Sequence, residues 1–377
     1  MNRDNLKVVK NKTSNQHYDY TMLVLVGLLV CFGLIMVCSA SAYTAVKYGL
    51  ESTYYLKRQG LMAAVGIIAM IGLSKFDYHL YTTDKFKVRP ILILYFVCVI
   101  LQIAVFIVGS STNGSTRWLQ LPIIGRFQPS ELSKFCIIIM VAFLINLRPR
   151  QLDSFVGFVF RMLYVFILAA LVLVENLSTA IIMIGIAFIV CFVASRKWAY
   201  FFISFIVLAA GALIAIFSVG YRADRITQWL DVENEGYQIL QGLYAICSGG
   251  WFGKGLGNSV QKLGYIPEVH TDMIFSVICE ELGILGVIIL LTVYVLLLWR
   301  IFKIIVNAPD LFGSLLCTGV FAHIALQVIL NVAVVTNTVP STGVTLPFIS
   351  YGGTSLIVML AEMGIVINVS SKIEYDN

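Results

Sequence analysis

This 377-residue sequence contains few charged residues: Asp, Glu, Lys and Arg make up 12% of it, whereas 59% is apolar. Soluble globular domains carry about 25% charged residues, so this composition excludes an ordinary soluble domain. Runs of about 18 to 25 apolar residues recur along the chain, and each is long enough to cross a ~30 Å hydrocarbon core. Because backbone polar groups must be hydrogen-bonded within lipid, runs of this length predict helices and exclude barrel strands.

The chain also lacks the cysteine and glycine motifs that mark redox, metal and nucleotide sites. Its eight cysteines show no CxxC and no paired spacing, which favours small buried apolar residues over ligands or disulfides. No GK[ST] sequence occurs, so a P-loop is excluded. No dedicated metal cage is predicted and no cofactor is evident. One carboxylate and a substrate phosphate can still share a divalent cation, Mg²⁺ or Mn²⁺, without a sequence signature.

The sequence therefore predicts an all-α polytopic membrane protein. A single membrane domain at 21–370 is expected between tails at 1–20 and 371–377. Lysine and arginine are concentrated in the N-terminal tail and in the loops on its side, which places both termini in the cytoplasm. This asymmetry explains the net charge of +6, so a nucleic-acid partner has little support. Ten transmembrane helices are expected, at about 21–43, 59–74, 90–109, 132–147, 155–174, 176–195, 198–219, 272–299, 312–335 and 347–369.

Two long loops are expected outside the cell, at about 110–131 and about 220–271. The second, between helices 7 and 8, is long enough to indicate a functional segment. Within it, Ile239–Ser248 has apolar residues at helical spacing and is predicted to lie along the membrane interface. The glycine-rich sequence that follows, GGWFGKGLGNSVQK, fits either a flexible turn-rich loop or a close backbone approach to a ligand.

Several ionisable residues lie inside or at the ends of the predicted spans, where charge is costly unless it is paired or hydrated. Arg58 opens the second span, where snorkelling to headgroups is the simplest interpretation. Glu131 and Lys134 lie three residues apart on one helix face and fit a neutralising pair as well as a functional one. Glu280 and Glu281, inside the eighth span, have no basic residue within a turn of them.

The end of the second long loop is the most informative segment. It reads PEVHTD at 267–272 and is followed at once by the eighth span. Asp272 is predicted to cap this helix, which would hold its carboxylate ionised by the free amide groups and the helix dipole. The same position suits a general base, because a capped carboxylate needs little reorganisation. His270 fits a satisfied histidine at the interface.

These sequences resemble the SEDS family, the FtsW/RodA/SpoVE group of cell-wall polymerases, and most of all its FtsW/SpoVE branch. The resemblance covers essentially all ten spans. It is carried by STNGSTRWLQL and RFQPSELSKF at 111–135, by GKGLGNSVQKLGYIPEVHTDMIFSVICEELG at 253–283, and by STGVTLPFISYGGTSL at 341–356.

The resemblance implies a peptidoglycan glycosyltransferase in the bacterial cytoplasmic membrane. Its substrate would be lipid II, a polyprenyl-diphosphate-linked disaccharide-pentapeptide, which it would polymerise into glycan strands at the outer face. The duty implied is cell division or maintenance of cell shape. A class B penicillin-binding protein, which is a transpeptidase, and other division or elongation membrane proteins are implied as partners.

The resemblance also implies roles for particular residues. Asp272 matches the essential loop aspartate of the family and is the expected general base. One departure concerns Asn176, where many members have an aspartate, so that only Glu175 is left to supply a charge there. Substrate-binding roles are implied for six further residues: Arg58, Arg117, Glu131, Lys134, Glu268 and His270.

Two other classes of function remain open at this point. A transporter of the lipid precursor would also need charges within the membrane. The charges here gather at the outer face, however, and no inverted repeat is evident. A non-catalytic scaffold for division proteins would explain the helices but not the loop sequence around Asp272. Septation, elongation and sporulation are not distinguished by the residues.

Overall fold

A computed structural model describes residues 19–83, 88–112, 115–121, 125–197, 201, 204–206, 211, 220–234 and 236–373. Its helices, in chain order, are α1 (Tyr20–Lys47), α2 (Tyr54–Lys75), α3 (Pro90–Val108), α4 (Pro129–Leu147), α5 (Phe155–Glu175), α6 (Leu177–Ala194), α7 (Gly220–Leu230), α8 (Tyr237–Gly249), α9 (Ile274–Asn307), α10 (Leu311–Val335) and α11 (Gly353–Ser370). Short 3-10 helices follow α2 at Tyr78–Tyr81 and α4 at Pro149–Asp153.

Within the described ranges, nine helices are long and apolar enough to cross a membrane, namely all except α7 and α8. They coincide with nine of the ten predicted spans, which confirms a polytopic helical membrane fold. The main differences are that α9 continues to Asn307 and that α11 begins only at Gly353. The seventh predicted span, 198–219, lies outside the described residues except at five positions, and so do most of the two predicted tails.

The centre of the bundle is formed by α4, α10 and α11. In the most apolar window of α4 and of α11, 78% of the residues are buried, against 28% in α2 and α3. Small residues bring α2 very close to α11. A Cβ added at Gly364 would lie 2.5 Å from Met70 O, and one added at Gly66 would lie 2.6 Å from Leu360 Cδ1. Substitution at Gly364 would therefore push the two helices apart, because its neighbour is backbone, whereas at Gly66 the Leu360 side chain would have to move.

The first long loop forms a small antiparallel sheet that the sequence analysis did not predict. Its strands are β1 (Ser110–Thr112), β2 (Ser115–Leu121) and β3 (Gly125–Phe127), in the order β1-β2-β3. Leu119 pairs with Phe127 across β2 and β3. The sheet leads directly into α4, which begins at Pro129, and proline is well suited to the first turn because its missing N–H has no helical partner there.

Helix α9 is interrupted at Gly283, whose backbone angles (φ 66°, ψ −168°) are not helical. In a continuous helix, Ile284 N–H would donate to Glu280 O and Leu285 N–H to Glu281 O. Backbone groups of residues 250–262, here called the inserted loop, take over both hydrogen bonds. The replacing bonds are Lys254 N to Glu280 O (2.9 Å), Gly255 N to Glu281 O (2.9 Å), Ile284 N to Gly250 O (3.0 Å) and Leu285 N to Trp251 O (3.2 Å).

This exchange explains the glycines of the inserted loop. Gly253 has φ 76°, and a Cβ at that position would lie 2.2 Å from Glu281 O. Of the two interpretations of this glycine-rich sequence, the close backbone approach is found at Gly253, but its partner is α9 of the same chain and not a ligand. The neighbouring α8 confirms the helix predicted around 239–248.

Candidate active site

The sequences at 111–135, 253–283 and 341–356, called here the three motifs, meet around residues 336–352. These residues connect α10 to α11 and are called here the α10–α11 connection. This segment and the first turn of α11 contact α2, the segment before α4, and the loop before α9. The bonds are Gln59 Nε2 to Ser350 O (3.2 Å), Gly352 N to Gln59 Oε1 (3.3 Å), Gln128 N to Thr354 Oγ1 (3.3 Å) and Tyr351 N to His270 O (2.9 Å).

Asp272 lies in the turn directly before α9 and is partly buried. Its backbone is held by Asn331 of α10, whose Nδ2 donates to Asp272 O (2.8 Å) and to Val344 O (2.7 Å). The carboxylate faces the α10–α11 connection, since a Cβ at Gly343 would lie 3.9 Å from Asp272 Oδ2. Asn331 is itself buried and joins two of the motifs. It was missed from the sequence, although a polar amide inside the apolar run 328–335 is a signal that could have marked it.

Burial raises the pKa of Asp272 above its ordinary value, and the nearby Glu268 raises it further. The hydroxyl of Thr271, which donates to Asp272 Oδ1 at 3.1 Å, and the charge of Arg225 act in the opposite direction. A carboxylate with a raised pKa is a stronger base in its ionised form, which favours proton abstraction near neutral pH.

The predicted helix cap at Asp272 is wrong. The helix begins at Ile274, its N-cap residue is Met273, and no side chain bonds to the first amide groups. The carboxylate is therefore not held ionised by the end of α9. Burial has the opposite effect, because an ionised group loses hydration when it is covered.

His270 is buried beneath two tyrosines. Its ring centroid lies 4.5 Å from that of Tyr55 and 5.4 Å from that of Tyr351. Burial lowers the pKa of His270 to about 4, so the ring is neutral at pH 7. The ring is packed as an interfacial histidine would be, but it is not the satisfied histidine that the sequence suggested, because its buried Nδ1 has no hydrogen-bond partner among the described residues.

The lowered pKa of His270 predicts a loss of stability in acid. An unfolded histidine binds a proton near pH 6.5, whereas His270 in the folded protein binds one only near pH 4. Unfolding therefore takes up a proton between these values, and stability falls as the pH drops from 6.5 to 4, by up to about 3 kcal/mol. Thermal unfolding of the purified protein across this range checks it. His270→Asn should flatten the dependence, and an equally steep decline in that variant would contradict the assignment.

Arginines lie around this segment on several elements. Arg58 of α2 is partly buried and donates to the Tyr54 hydroxyl at 3.3 Å, and its charge acts on the Tyr351 hydroxyl. Arg225 of α7 donates to Ser341 O at 3.0 Å and also acts on Asp272. Of these two, only Arg58 was predicted. Arg225 was missed because α7 reads as part of an irregular loop.

Arg117 of β2 contacts the C-terminal end of α5. Its Nε donates to Glu175 O at 3.1 Å, and the Glu175 carboxylate accepts a hydrogen bond from Gln102 Nε2 at 2.9 Å. Asn176, the departure noted above, caps α6 by accepting from Thr179 N at 3.2 Å. Asn176 thus has a local structural role, and Glu175 is the carboxylate that stands buried beside Arg117.

Glu131 and Lys134 form a buried ion pair in the first turns of α4. Lys134 Nζ lies 2.9 Å from Glu131 Oε1, and the side chains are 1% and 7% exposed. A second buried pair was not predicted: His323 Nδ1 of α10 lies 2.8 Å from Glu362 Oε2 of α11. His323 also acts electrostatically on Glu131. The core therefore holds two carboxylates, each beside a basic partner, as buried charge requires.

Glu280 and Glu281 have basic partners, but these lie far outside the helical turn in which the sequence shows none. Lys254 Nζ lies 2.7 Å from Glu280 Oε1, and Lys262 Nζ lies 2.6 Å from Glu281 Oε1. Both lysines belong to the inserted loop, so their distance in sequence concealed them. Across the parts of the chain that the structure describes, no three His, Cys, Asp or Glu side chains are grouped as metal ligands.

Comparison with known proteins gives a consistent result. A family model described as "Cell cycle protein", for FtsW, RodA and SpoVE, matches residues 19–375. A probable peptidoglycan glycosyltransferase FtsW of Geobacter sp. (strain M18) is 37% identical over 94% of this chain and 97% of its own length. The stage V sporulation protein E of Bacillus subtilis (strain 168) is 38% identical over 95% and 98%.

Solved structures share the fold. A chain from a peptidoglycan synthase complex that coordinates polymerization and crosslinking is 27% identical, with a TM-score of 0.78 over 95% of this chain and 99% of its own. The rod shape determining protein RodA of Thermus thermophilus is 26% identical, with a TM-score of 0.68 over 95% and 98%.

Proposed function

Because this chain belongs to the FtsW/RodA/SpoVE family of cell cycle proteins, we propose that it joins disaccharide units of lipid II into glycan strands. It is a multi-pass bacterial membrane protein and a peptidoglycan glycosyltransferase that serves cell division or cell shape. The observation that carries the proposal is the position of Asp272. Its partly buried carboxylate faces the α10–α11 connection, where the three motifs meet.

In this reaction Asp272 is the general base. It accepts the proton of the acceptor sugar's 4-hydroxyl, and that oxygen attacks the anomeric carbon of the donor. The bond from this carbon to the polyprenyl diphosphate breaks, and its electron pair leaves with the diphosphate. Cationic side chains stabilise the charge that grows on the leaving group. Arg58, Arg117 and Lys134 have this role in the proposal.

The remaining residues of the site are assigned from their surroundings. His270, neutral and packed against Tyr55, supports the loop that carries Asp272. Glu268 is exposed and adds negative charge beside the base. A divalent cation such as Mg²⁺ or Mn²⁺ enters the proposal only as a companion of the substrate's diphosphate, since the described residues group no three metal-binding side chains.

The proposal also includes ten transmembrane helices, both termini in the cytoplasm and the 220–271 segment outside the cell. The nine described spans, together with the apolar sequence at 198–219, support the number. The distribution of lysine and arginine supports the orientation. A class B penicillin-binding protein and other division or elongation membrane proteins are the proposed partners. The likeness to a chain of a peptidoglycan synthase complex supports a transpeptidase partner.

Reconstitution tests the function. The purified protein in lipid vesicles, given lipid II as its only substrate, is expected to form glycan polymers that a muramidase digests. Fluorescently labelled lipid II in the same vesicles reports movement between the leaflets. Movement of the label without any polymer, in the presence of a transpeptidase partner as well as in its absence, would replace the polymerase with a transporter.

A further inference from the structure

Glu280 and Glu281, just before the break in α9, each form an ion pair with the inserted loop, and Glu280 also accepts several further hydrogen bonds. The carboxylate of Glu280 is fully buried and accepts hydrogen bonds from five groups: Ser248 Oγ, Lys254 Nζ, Ser259 Oγ, Val260 N and Gln261 N. The donors all come from the end of α8 and the inserted loop. A carboxylate satisfied in this way is a structural anchor, because no capacity remains for a substrate.

The adjacent Glu281 connects the inserted loop to α1. Its carboxylate accepts from Lys262 Nζ at 2.6 Å and from Ser39 Oγ at 2.7 and 2.9 Å, and Lys262 Nζ also donates to Ser39 Oγ at 2.8 Å. Glu281 is fully buried and the Lys262 side chain is 8% exposed. The two ion pairs and the four backbone bonds across Gly283 are together called the clamp.

The residues of the clamp lie both before and after Asp272 in the sequence. The chain leaves the clamp at Lys262, passes through residues 263–273 and re-enters it at Glu280 and Glu281. The Lys262–Glu281 pair thus closes a short ring that contains Asp272. Within this ring Ile266, Val269 and Met273 are buried, while no regular secondary structure occurs before Ile274. The conformation of the ring is therefore set by its ends, by these buried side chains together with His270, and by the hydrogen bonds from Tyr351 N to His270 O and from Asn331 Nδ2 to Asp272 O.

We propose that Lys262 and Glu281 are positioning residues for Asp272, a role that rests on the function proposed above. A general base must lie within hydrogen-bond reach of its proton, and a displacement of about 1 Å can lower a rate about 100-fold. Closing the ring at Lys262 fixes the start of residues 263–273 and so lowers the conformational freedom that the other contacts leave to them. The lysine charge also stabilises Glu281, which would otherwise stand buried and unpaired.

Lys262→Met tests this role, because methionine keeps the length of the side chain and removes the charge. Polymerisation by purified proteins is measured against lipid II concentration and against pH. The expected kcat falls about 10- to 100-fold, while KM changes little because the diphosphate-binding cations are untouched. The acidic limb of the kcat profile should also move to lower pH, since a released loop hydrates Asp272 and removes the cause of its raised pKa. Lys262→Arg should restore both.

Control variants separate the outcomes. Lys57→Met removes a lysine whose exposed side chain pairs with exposed Glu51 at 2.7 Å, and it should behave like the wild type. Ser39→Ala removes the hydrogen bonds from Ser39 to Glu281 and from Lys262 to Ser39 without a change of charge, and it should give a smaller fall in kcat. This variant tests the positioning role if Lys262→Met does not fold. If Asp272→Asn is inactive while Lys262→Met has the kcat and the pH profile of the wild type, the positioning role is overturned. An active Asp272→Asn would overturn the general base itself.

Discussion

Replacing Asp272 with asparagine is expected to lower the rate of glycan polymerisation by about 10²- to 10⁴-fold, the usual contribution of a general base. Asparagine keeps the size of the side chain but replaces the basic carboxylate with a neutral amide that cannot take up the proton. The contact from Asn331 is made to the Asp272 backbone carbonyl, so it survives the change. The expected result is a folded protein that binds lipid II and makes no detectable polymer, as measured by gel analysis of the products.

Asp231→Asn is the matched control for this experiment. The substitution makes the same chemical change at a second aspartate, in the segment predicted to lie outside the cell. The Asp231 side chain is exposed and accepts a hydrogen bond from Asn234 Nδ2 at 3.0 Å. The activity of this variant should stay at the wild-type level. Polymer formation by Asp272→Asn at a rate close to that of Asp231→Asn would remove Asp272 from the mechanism.

Lys134→Met is expected to destabilise the protein by about 3–5 kcal/mol, the effect of leaving one partner of a buried ion pair without its counter-charge. The pair is almost completely covered, and the other basic group that acts on Glu131, His323, is already bonded to Glu362. Thermal unfolding of the purified variant measures the loss. Lys57→Met, at the exposed pair, should cost less than about 1 kcal/mol.

The double variant Glu131→Gln/Lys134→Met separates structure from substrate binding. It removes both charges, so most of the lost stability should return. A stable double variant without polymerase activity would support Lys134 as a cation for the diphosphate. A stable and active one would make the pair purely structural and Lys134 wrong as a substrate-binding residue. No recovery of stability would contradict the pairing as the cause of the first effect.

The membrane helices were predictable because a span is a local property. An apolar run either reaches across the hydrocarbon core or does not, and nine predicted spans are found as helices. The pair of Glu131 and Lys134 was predictable for the same reason, since both lie on one face of one helix. The convergence of the three motifs was not predicted, because nothing in their separate sequences indicates that Tyr351 contacts His270.

The contacts that were missed depend on the break at Gly283 or on distant helices. Lys254 and Lys262 reach the two glutamates only because a loop enters the helix there. The pairing of His323 with Glu362 joins α10 to α11, and helical spacing carries no information about a neighbouring helix. The cap at Asp272 failed because the helix begins at Ile274, one residue later than a cap at Asp272 requires.

The break at Gly283 also bears on how far the reaction lies from the lipid. From Ile284 to Trp299, directly before Arg300, the helix is about 24 Å long, which is less than a ~30 Å hydrocarbon core. About four residues of the part from Ile274 to Leu282 complete the crossing, and the others add up to about 7 Å of height. Asp272, at the far end of this part, would stand at or above the level of the headgroups. A substrate whose diphosphate rests at the headgroup level would present its sugars, and not its lipid, at that elevation.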